Sequence, residues 1–375
     1  VSIWYIINYN LNLKDSQVNL KTFYANEYSQ YALYDSIRSI GSYIDGQKIT
    51  ARKTLYTVGQ KNITQPVKVI RLQSTVSEYT SYIHGENSIG GVIINLAQNF
   101  AGANNIALLK PEGSFGTRTI PAAAATRYIF SCKHPIYDSI FYDSDLDILE
   151  HQTFENEPIE PKFLVPIIPL LLVNGSEGMG TGFAQKILPR NPLDIIKSIE
   201  KYLKTKKVTV GSPWFNGYTG TVKWNEDQQN WWVFGKFEKT SVTTIKITEI
   251  PIGYTVESYC NVLDKLEDAK VIQSYTDASN KNKFEFTIKA TKDFVSNSDE
   301  ILFDKLKLIK RFSENFTSIS ENNSVVEFTS AEEIFEAYCK IRLVYYEKRK
   351  ASIIRKIEDE LSLLSNRYLF IKAVT

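Results

Sequence analysis

Apolar positions first recur at helical spacing between Glu27 and Ile40. Leu33, Ile37 and Ile40 stand at i, i+4 and i+7, with Tyr28 and Ala32 four apart, which predicts a helix. The following SIGSYIDGQK (39–48) holds two glycines and an Asp-Gly pair, a turn signal. Helical patterns resume over Thr50–Lys61 and from about Asn87 to Phe100. Short helices joined by tight turns suit a helix-turn-helix or winged-helix module. The stretch from Phe100 to Phe130 is rich in Gly, Asn, Ala and Thr and reads as loops and short strands. Phe163–Gly182 mixes prolines with apolar residues and ends in a loop, NGSEGMGTG. After a helix from about Asp194, strand-like alternation predicts strands over Gly217–Lys223, Trp231–Phe237, Thr243–Ile250 and Lys283–Ala290, an α+β arrangement with a mostly antiparallel sheet. From Ser330 to the end there is neither Gly nor Pro, and Ser330 with Glu333 forms a capping-box start. This last segment predicts one long helix, a projecting arm or half of a coiled coil.

At 375 residues the chain has room for about two to three domains. Its longest apolar run, Phe163–Val173, is interrupted by prolines and falls short of the roughly 18 residues of a membrane helix. Ile3–Ile7 is short and lacks the basic lead-in of a signal peptide. Cys132, Cys260 and Cys339 are widely separated, which argues against a disulfide framework or structural zinc and for a reducing compartment. The net charge of +2 does not announce a nucleic-acid partner, because a basic patch can sit within a neutral total. Met179 is the only methionine, so Val1 is not an initiator, and a piece of a longer chain is expected.

Several chemistries are absent. There is no GxxxxGK[ST] loop, no helix-opening GxGxxG, no HExxH pair and no GxSxG elbow, so nucleotide hydrolysis and common hydrolase mechanisms have no signal. Asp143, Asp145 and Asp147 stand at i, i+2 and i+4 but lack the glycine and distal glutamate of a calcium loop, and read as a solvated acidic loop. The segment AAAATRYIF (122–130) is more informative. It sets Tyr128 beside Arg127 after a run of small side chains. A tyrosyl phosphodiester keeps the energy of the bond it replaces, so a DNA strand can be cut and resealed without fuel. A neighbouring guanidinium offsets transition-state charge. With 22 tyrosines in the chain, spacing alone does not single out Tyr128.

The segment resembles the active-site tyrosine region of type IIA DNA topoisomerases. So do RSIGSYIDGQKITARKTLY (38–56), YIHGENSIGGVIINLAQNF (82–100), NNIALLKPEGSFGTR (104–118), FLVPIIPLLLVNGSEGMGTGF (163–183), SPWFNGYTGTV (212–222), ITEIP (247–251) and IRLVYYEKRK (341–350), in the family's order and from about Tyr28 onward. The chain is similar to the DNA-cleavage core of the eukaryotic enzyme and to the medium subunit of T-even-like phage topoisomerases, and more remotely to the A chain of gyrase. The resemblance implies that Tyr128 is the nucleophile taking a 5′-phosphate and Arg127 the transition-state stabiliser. It puts Arg52 at a phosphate-binding position and His84 near the scissile bond. Lys48, Lys53, Tyr82 and Arg118 fall at DNA-contact positions. Met179 stands where the family has an isoleucine that wedges between base pairs, a role an apolar methionine can fill. Departures from the family pattern are Ile49 for a proline, Ala51 for a glutamine, Gly41 for the proline of RSIP, and Ile83 for the first histidine of HHGE. They bear on turn geometry and secondary DNA contacts.

The resemblance further implies an α+β multidomain chain: an N-terminal segment (1–29), a winged-helix domain (30–160), an α+β tower (161–330) and the start of a coiled-coil arm (331–375). The family's acidic metal-binding motifs and ATPase domain have no counterpart here. No metal ligand is therefore expected in this chain, Mg²⁺ would come from a partner subunit or a further domain, and ATP would act only in the holoenzyme. Double-stranded DNA, a second copy of the chain and a metal-binding and ATPase subunit or fused region are the expected partners, with no membrane and an intracellular location alongside DNA. A non-catalytic DNA-bending protein that keeps the winged helix and the wedge is the alternative.

Overall fold

The computed structural model describes residues 19–281 and 283–374; Ile3–Ile7 lies outside them. The first predicted helix is present as Ser29–Ser39, continued toward the N-terminus by a π-helical turn, Tyr24–Tyr28, and by Leu20–Phe23, which the Asn19 side chain caps. The chain then turns through the predicted Asp-Gly pair. Gly46 has φ 69°, and a Cβ there would fall 2.5 Å from the Leu171 backbone nitrogen, so a side chain is excluded on both counts.

Three helices follow, Ile49–Gln60, Val69–Tyr79 and Glu86–Ala97. The first and third answer to the predictions over 50–61 and 87–100. The middle one was not anticipated, although Val69, Leu72 and Val76 stand at i, i+3 and i+7 and are all fully buried. A three-stranded antiparallel sheet, in the order Val67–Lys68, Phe130–Lys133, Leu109–Glu112, closes against these helices.

Buried side chains form three clusters. The largest runs from Tyr43 to Tyr202 and takes in Ala331–Cys339. This core does not end at residue 160, where the sequence suggested a boundary. The Pro-interrupted run Phe163–Val173 can form neither a long helix nor a central strand, and it lies instead across the first helices as part of their core. A second core holds Ile245, Ile247, Tyr259, Phe286 and Ile288. It sits between a helix, Val256–Asp268, and a four-stranded antiparallel sheet in the order Lys236–Ser241, Thr244–Glu249, Phe286–Lys289, Ser274–Asp277. The helix begins on a capping box made by Thr255 and Ser258. The predicted strand over 231–237 divides at Gly235 into Asn230–Phe234 and Lys236–Ser241, which belong to different sheets. A Cβ at Gly235 would lie 2.5 Å from the Glu249 carbonyl oxygen. A small third cluster includes Ala101, Phe215 and Ile252.

NGSEGMGTG is not an open loop. Ser176–Met179 and Ala184–Ile187 form an antiparallel hairpin, extended by Asn315–Ile319 and Val325–Glu327 into a four-stranded sheet. Glu314 fastens this sheet to its surroundings: its carboxylate takes Arg190 Nη1 (2.7 Å) and Nη2 (2.8 Å), Leu188 N (2.8 Å) and Trp231 Nε1 (2.9 Å).

The last helix, Ala331–Val374, has 44 residues and spans about 65 Å. Its start departs slightly from the capping box: Glu333 N donates to Ser330 Oγ, but the Glu333 carboxylate accepts from Thr329 N rather than from Ser330 N. Beyond Ser352 it is exposed. The acidic trio explains how its root is held. Asp145 is not solvated as the sequence suggested. It is buried in a short helix, Asp143–Leu146, and takes Arg342 Nη1 (3.0 Å) and both Nε (2.6 Å) and Nη2 (2.7 Å) of Arg349. Asp147 pairs with Lys356.

Removing one partner of a buried ion pair costs about 3–5 kcal/mol, because the remaining charge stays desolvated. Asp145→Ala is therefore expected to lower stability by that amount in urea unfolding followed by far-ultraviolet circular dichroism. A loss under about 1 kcal/mol would mean that the two arginines are held without it.

Candidate nucleic-acid interface

Tyr128 projects from a turn, residues 126–128, just before the central strand of the first sheet, and is 65% exposed. Exposure does not make it loose. Its backbone N–H donates to Ala125 O (2.9 Å), and the carbonyls on either side of it, those of Thr126 and Ile129, accept from Ile70 N (3.2 Å) and Val69 N (2.9 Å). The unpaired amides at the start of the unanticipated helix thus hold the turn. The next side chain, Ile129, is buried, which locks the backbone while Tyr128 faces out. Gly90 permits the close packing behind it: a Cβ there would meet Gln73 Nε2 at 2.8 Å and Thr126 Cγ2 at 3.0 Å. Arg127, also exposed, lies with its guanidinium 4.9 Å from the Tyr128 ring centroid.

Met179 ends one strand of the hairpin and is 83% exposed. The hairpin is pressed onto the C-terminal end of the first helix. A Cβ at Gly178 would collide with the Ser39 carbonyl, and one at Gly180 would lie 2.8 Å from Ser36 Cα. Gln185, buried behind the tip, donates to Gly41 O (3.0 Å) and Thr317 O (2.8 Å) and accepts from Gly41 N (2.9 Å). Lys48 Nζ donates to Glu177 O at 2.7 Å. Burial pushes the Lys48 ammonium below the ordinary lysine value, and the Glu177 carboxylate opposes that shift. Arg38, Lys48, Met179, Arg118 and Tyr254 line an open groove of about 840 Å³ between this hairpin and the second core.

His84 lies in a separate cavity of about 440 Å³, lined also by Tyr31, Tyr34, Tyr82, Lys53 and Glu160. Its Nε2 is 2.7 Å from Tyr34 Oη, and the Tyr82 ring meets it edge-on at 5.5 Å. Burial, then the charges of Arg38 and Lys53, push its pKa below the usual histidine value, which favours the neutral imidazole. Tyr82 Oη also reaches Ser88 Oγ at 2.5 Å.

Three of the expected contact residues turn inward. Arg52 is buried and forks onto Asp45, with Nε 2.6 Å from Oδ2 and Nη2 3.1 Å from Oδ1. Lys53 Nζ bonds Glu160 (2.8 Å) and Thr80 O (2.7 Å) inside the core. Arg118, in the wall of the groove, commits both Nη groups to carbonyls of the 250–254 turn. Lys310 was not anticipated. Its Nζ sits 5.0 Å over the Tyr254 ring beside Phe312, and burial, Lys186 and Arg118 lower its pKa. Neither Tyr34 nor Gln185 was anticipated; their partners are 50 and 144 residues away, so local pattern carries no trace of them.

Among the described residues no three His, Cys, Asp or Glu side chains converge as a metal-binding group. Of the nearest sequence candidate, the trio Asp143, Asp145 and Asp147, Asp145 is committed to Arg342 and Arg349 and Asp147 to Lys356. Cys132, Cys260 and Cys339 are free thiols. Among the described helices none is long and apolar enough to cross a membrane.

Residues 38–375 match the family model for the A-type chain of DNA gyrase/topoisomerase IV. The chain is 33% identical over 96% of its length to DNA topoisomerase 2, mitochondrial, of Dictyostelium discoideum, covering 28% of that protein. It is likewise 33% identical over 96% of its length to DNA topoisomerase 2 of Saccharomyces cerevisiae, covering 26% of it. The chain therefore spans about a quarter of the length of these curated relatives. Among solved structures it is similar to the crystal structure of the Plasmodium falciparum topoisomerase II DNA-binding, cleavage and re-ligation domain, with a TM-score of 0.89 and 35% identity over 94% of this chain and 49% of that one. With the family model matched from Arg38 to Thr375 and its relatives at a third identity, the chain belongs to the type IIA DNA topoisomerases and corresponds to their cleavage core.

Proposed function

We propose that this chain is the DNA-binding and breakage–reunion part of an ATP-dependent type IIA topoisomerase. Residues 30–160, with the apolar run that completes their core, act as a winged-helix cleavage domain. The second core acts as a tower, and Ala331–Val374 begins a coiled-coil arm. The observation that carries the reading is the rigidly held, exposed Tyr128 with Arg127 at its ring. Tyr128 Oη bonds to the phosphorus of a DNA phosphodiester as the bond to the 3′ oxygen breaks. The phenolic proton is matched by one gained at the released 3′ hydroxyl, so the step is reversible and consumes nothing. Arg127 offsets charge on the phosphoryl oxygens. Small neighbours at Ala122–Ala125 leave room for the backbone of the duplex. Two copies, one tyrosine per strand, would open a double-strand gate for passage of another duplex.

Lys48 and Tyr82 are proposed as DNA contacts, His84 as a neutral hydrogen-bonding group near the scissile bond, and Met179 as the bending wedge. Arg52 and Lys53 would support the first of these by fixing the turn and helix that carry Lys48. The described carboxylates do not make a donor set for a divalent cation. Mg²⁺, a Lewis acid when bound, is proposed to come from a partner subunit or further region, as is ATP. The location proposed is intracellular, with the DNA.

In the assembled enzyme, Tyr128→Phe removes the nucleophilic hydroxyl and no charge. Covalent DNA adduct should vanish while the dissociation constant stays within about twofold, since phosphate contacts dominate affinity. Adduct formed by the variant would refute the assignment. Unchanged biological output in the variant would favour the non-catalytic bender. Met179→Ala should reduce the DNA bend read by energy transfer across a short duplex, with cleavage falling alongside and affinity changing little. Unstacking one base step costs about a few kcal/mol, offset by contacts that only a bent duplex makes. An unchanged bend would mean that Met179 is not the wedge.

A further inference from the structure

Residues 113–127, which lead to Tyr128, contain no strand or helix, yet the loop is fixed along its length. Gln98 Nε2 donates to Phe115 O (2.8 Å) and Pro121 O (3.0 Å). Thr117 N reaches Ile120 O at 2.8 Å, and Ala124 N reaches Ser114 O at 2.9 Å. Gly116 is left-handed at φ 86°, and a Cβ there would collide with the Pro121 carbonyl. These bonds make the loop a unit, so a force applied at one point moves the whole of it.

Arg118 leaves this unit and enters the second core. Nη1 donates to Tyr254 O (2.6 Å), and Nη2 to Ile250 O (3.0 Å) and Pro251 O (3.2 Å). The Glu249 carboxylate stands 3.8 Å away, and the guanidinium lies 4.8 Å over the Phe284 ring. Alongside it, Val256 N donates to Thr119 O at 3.4 Å. The acceptors are main-chain carbonyls of a turn in which Gly253 has φ 89°, so their places are set by the fold of the second core.

We propose that Arg118 is a positioning residue that locks the nucleophile loop to the 250–254 turn, so that the place of Tyr128 follows the place of the second core. This rests on the reading of Tyr128 as the nucleophile. A duplex bent over both units would then be sensed at Tyr128 through protein, without a DNA contact by Arg118 itself. The planar fork is needed, because the single Nζ of a lysine cannot reach carbonyls that are spread across the two Nη groups of Arg118.

The test uses the assembled enzyme with Arg118→Lys, Arg118→Met and Glu249→Gln. Amide hydrogen exchange of residues 113–128 should quicken about tenfold or more in both Arg118 variants, with the Leu72 and Ile93 core unchanged. Adduct formation should slow by about tenfold to a hundredfold, as for a misplaced reacting group. The dissociation constant and the salt slope should hold, and Lys should rescue nothing. Glu249→Gln leaves the three carbonyl bonds and should have a smaller effect. Should Arg118→Met fail to fold, Arg118→Lys carries the same comparison. Unchanged loop exchange would overturn the proposal. So would rescue by Lys together with a salt slope reduced by about one in Arg118→Met, the mark of a phosphate contact. If the unmodified enzyme forms no adduct at Tyr128, the nucleophile reading fails, while the loop exchange still decides the tether.

Discussion

Asp45 is withdrawn from water, and its two oxygens take hydrogen bonds from three separate parts of the chain. Gln47 N closes the turn on Oδ1 (2.9 Å), Arg52 forks onto both oxygens from the following helix, and Leu164 N reaches Oδ2 (2.9 Å) from the apolar run. A buried carboxylate is tolerable only when paired and fully hydrogen-bonded, so these partners have little freedom to separate. Much of the interface depends on this one group. The turn it closes places Lys48 against Glu177 O and Gly41 against Gln185, which together hold the Met179 hairpin. The helix it anchors carries Lys53 to Glu160 and so forms a wall of the His84 cavity.

A covalent nucleophile that must meet DNA has conflicting needs: it has to protrude, and it has to be where the phosphate arrives. For Tyr128, the proposed nucleophile, the conflict is resolved through backbone rather than side chain. Tyr128 makes no hydrogen bond through its ring oxygen among the described residues, while the peptide groups around it are tied to the first amides of Val69–Tyr79. The charged groups follow a similar economy. Arg52, Lys53 and Arg118 shape the protein from within, and the exposed guanidinium of Arg127 is left beside the Tyr128 ring.

What could be read from the sequence tracks the range of the interactions. Helices with an apolar stripe, such as Ser29–Ser39, and strands with alternation, such as Thr244–Glu249, are local features and stood out. Val69–Tyr79 has as regular a stripe, but it starts within the strand-favouring run Val67–Ile70, whose first two residues do form a strand. Asp145 reads as solvated because its arginine partners lie 197 and 204 residues away. The same holds for Arg118: a motif places it near DNA, and only the packing of two cores reveals that its donors face carbonyls. The proposal of Tyr128 as nucleophile rests on resemblance, whereas its exposure and its backbone restraints came only from the structure.

The central claim is that one tyrosine of this chain, and a particular one, becomes covalently joined to DNA. With 22 tyrosines present, several of them as open as Tyr24 and Tyr368, the direct measurement is to trap the adduct in the assembled enzyme, digest protein and DNA, and locate the nucleotide by mass spectrometry. A peptide containing Tyr128 that bears a 5′-phosphate-linked nucleotide is the expected result. A nucleotide on any other tyrosine, or a 3′ linkage, would contradict it.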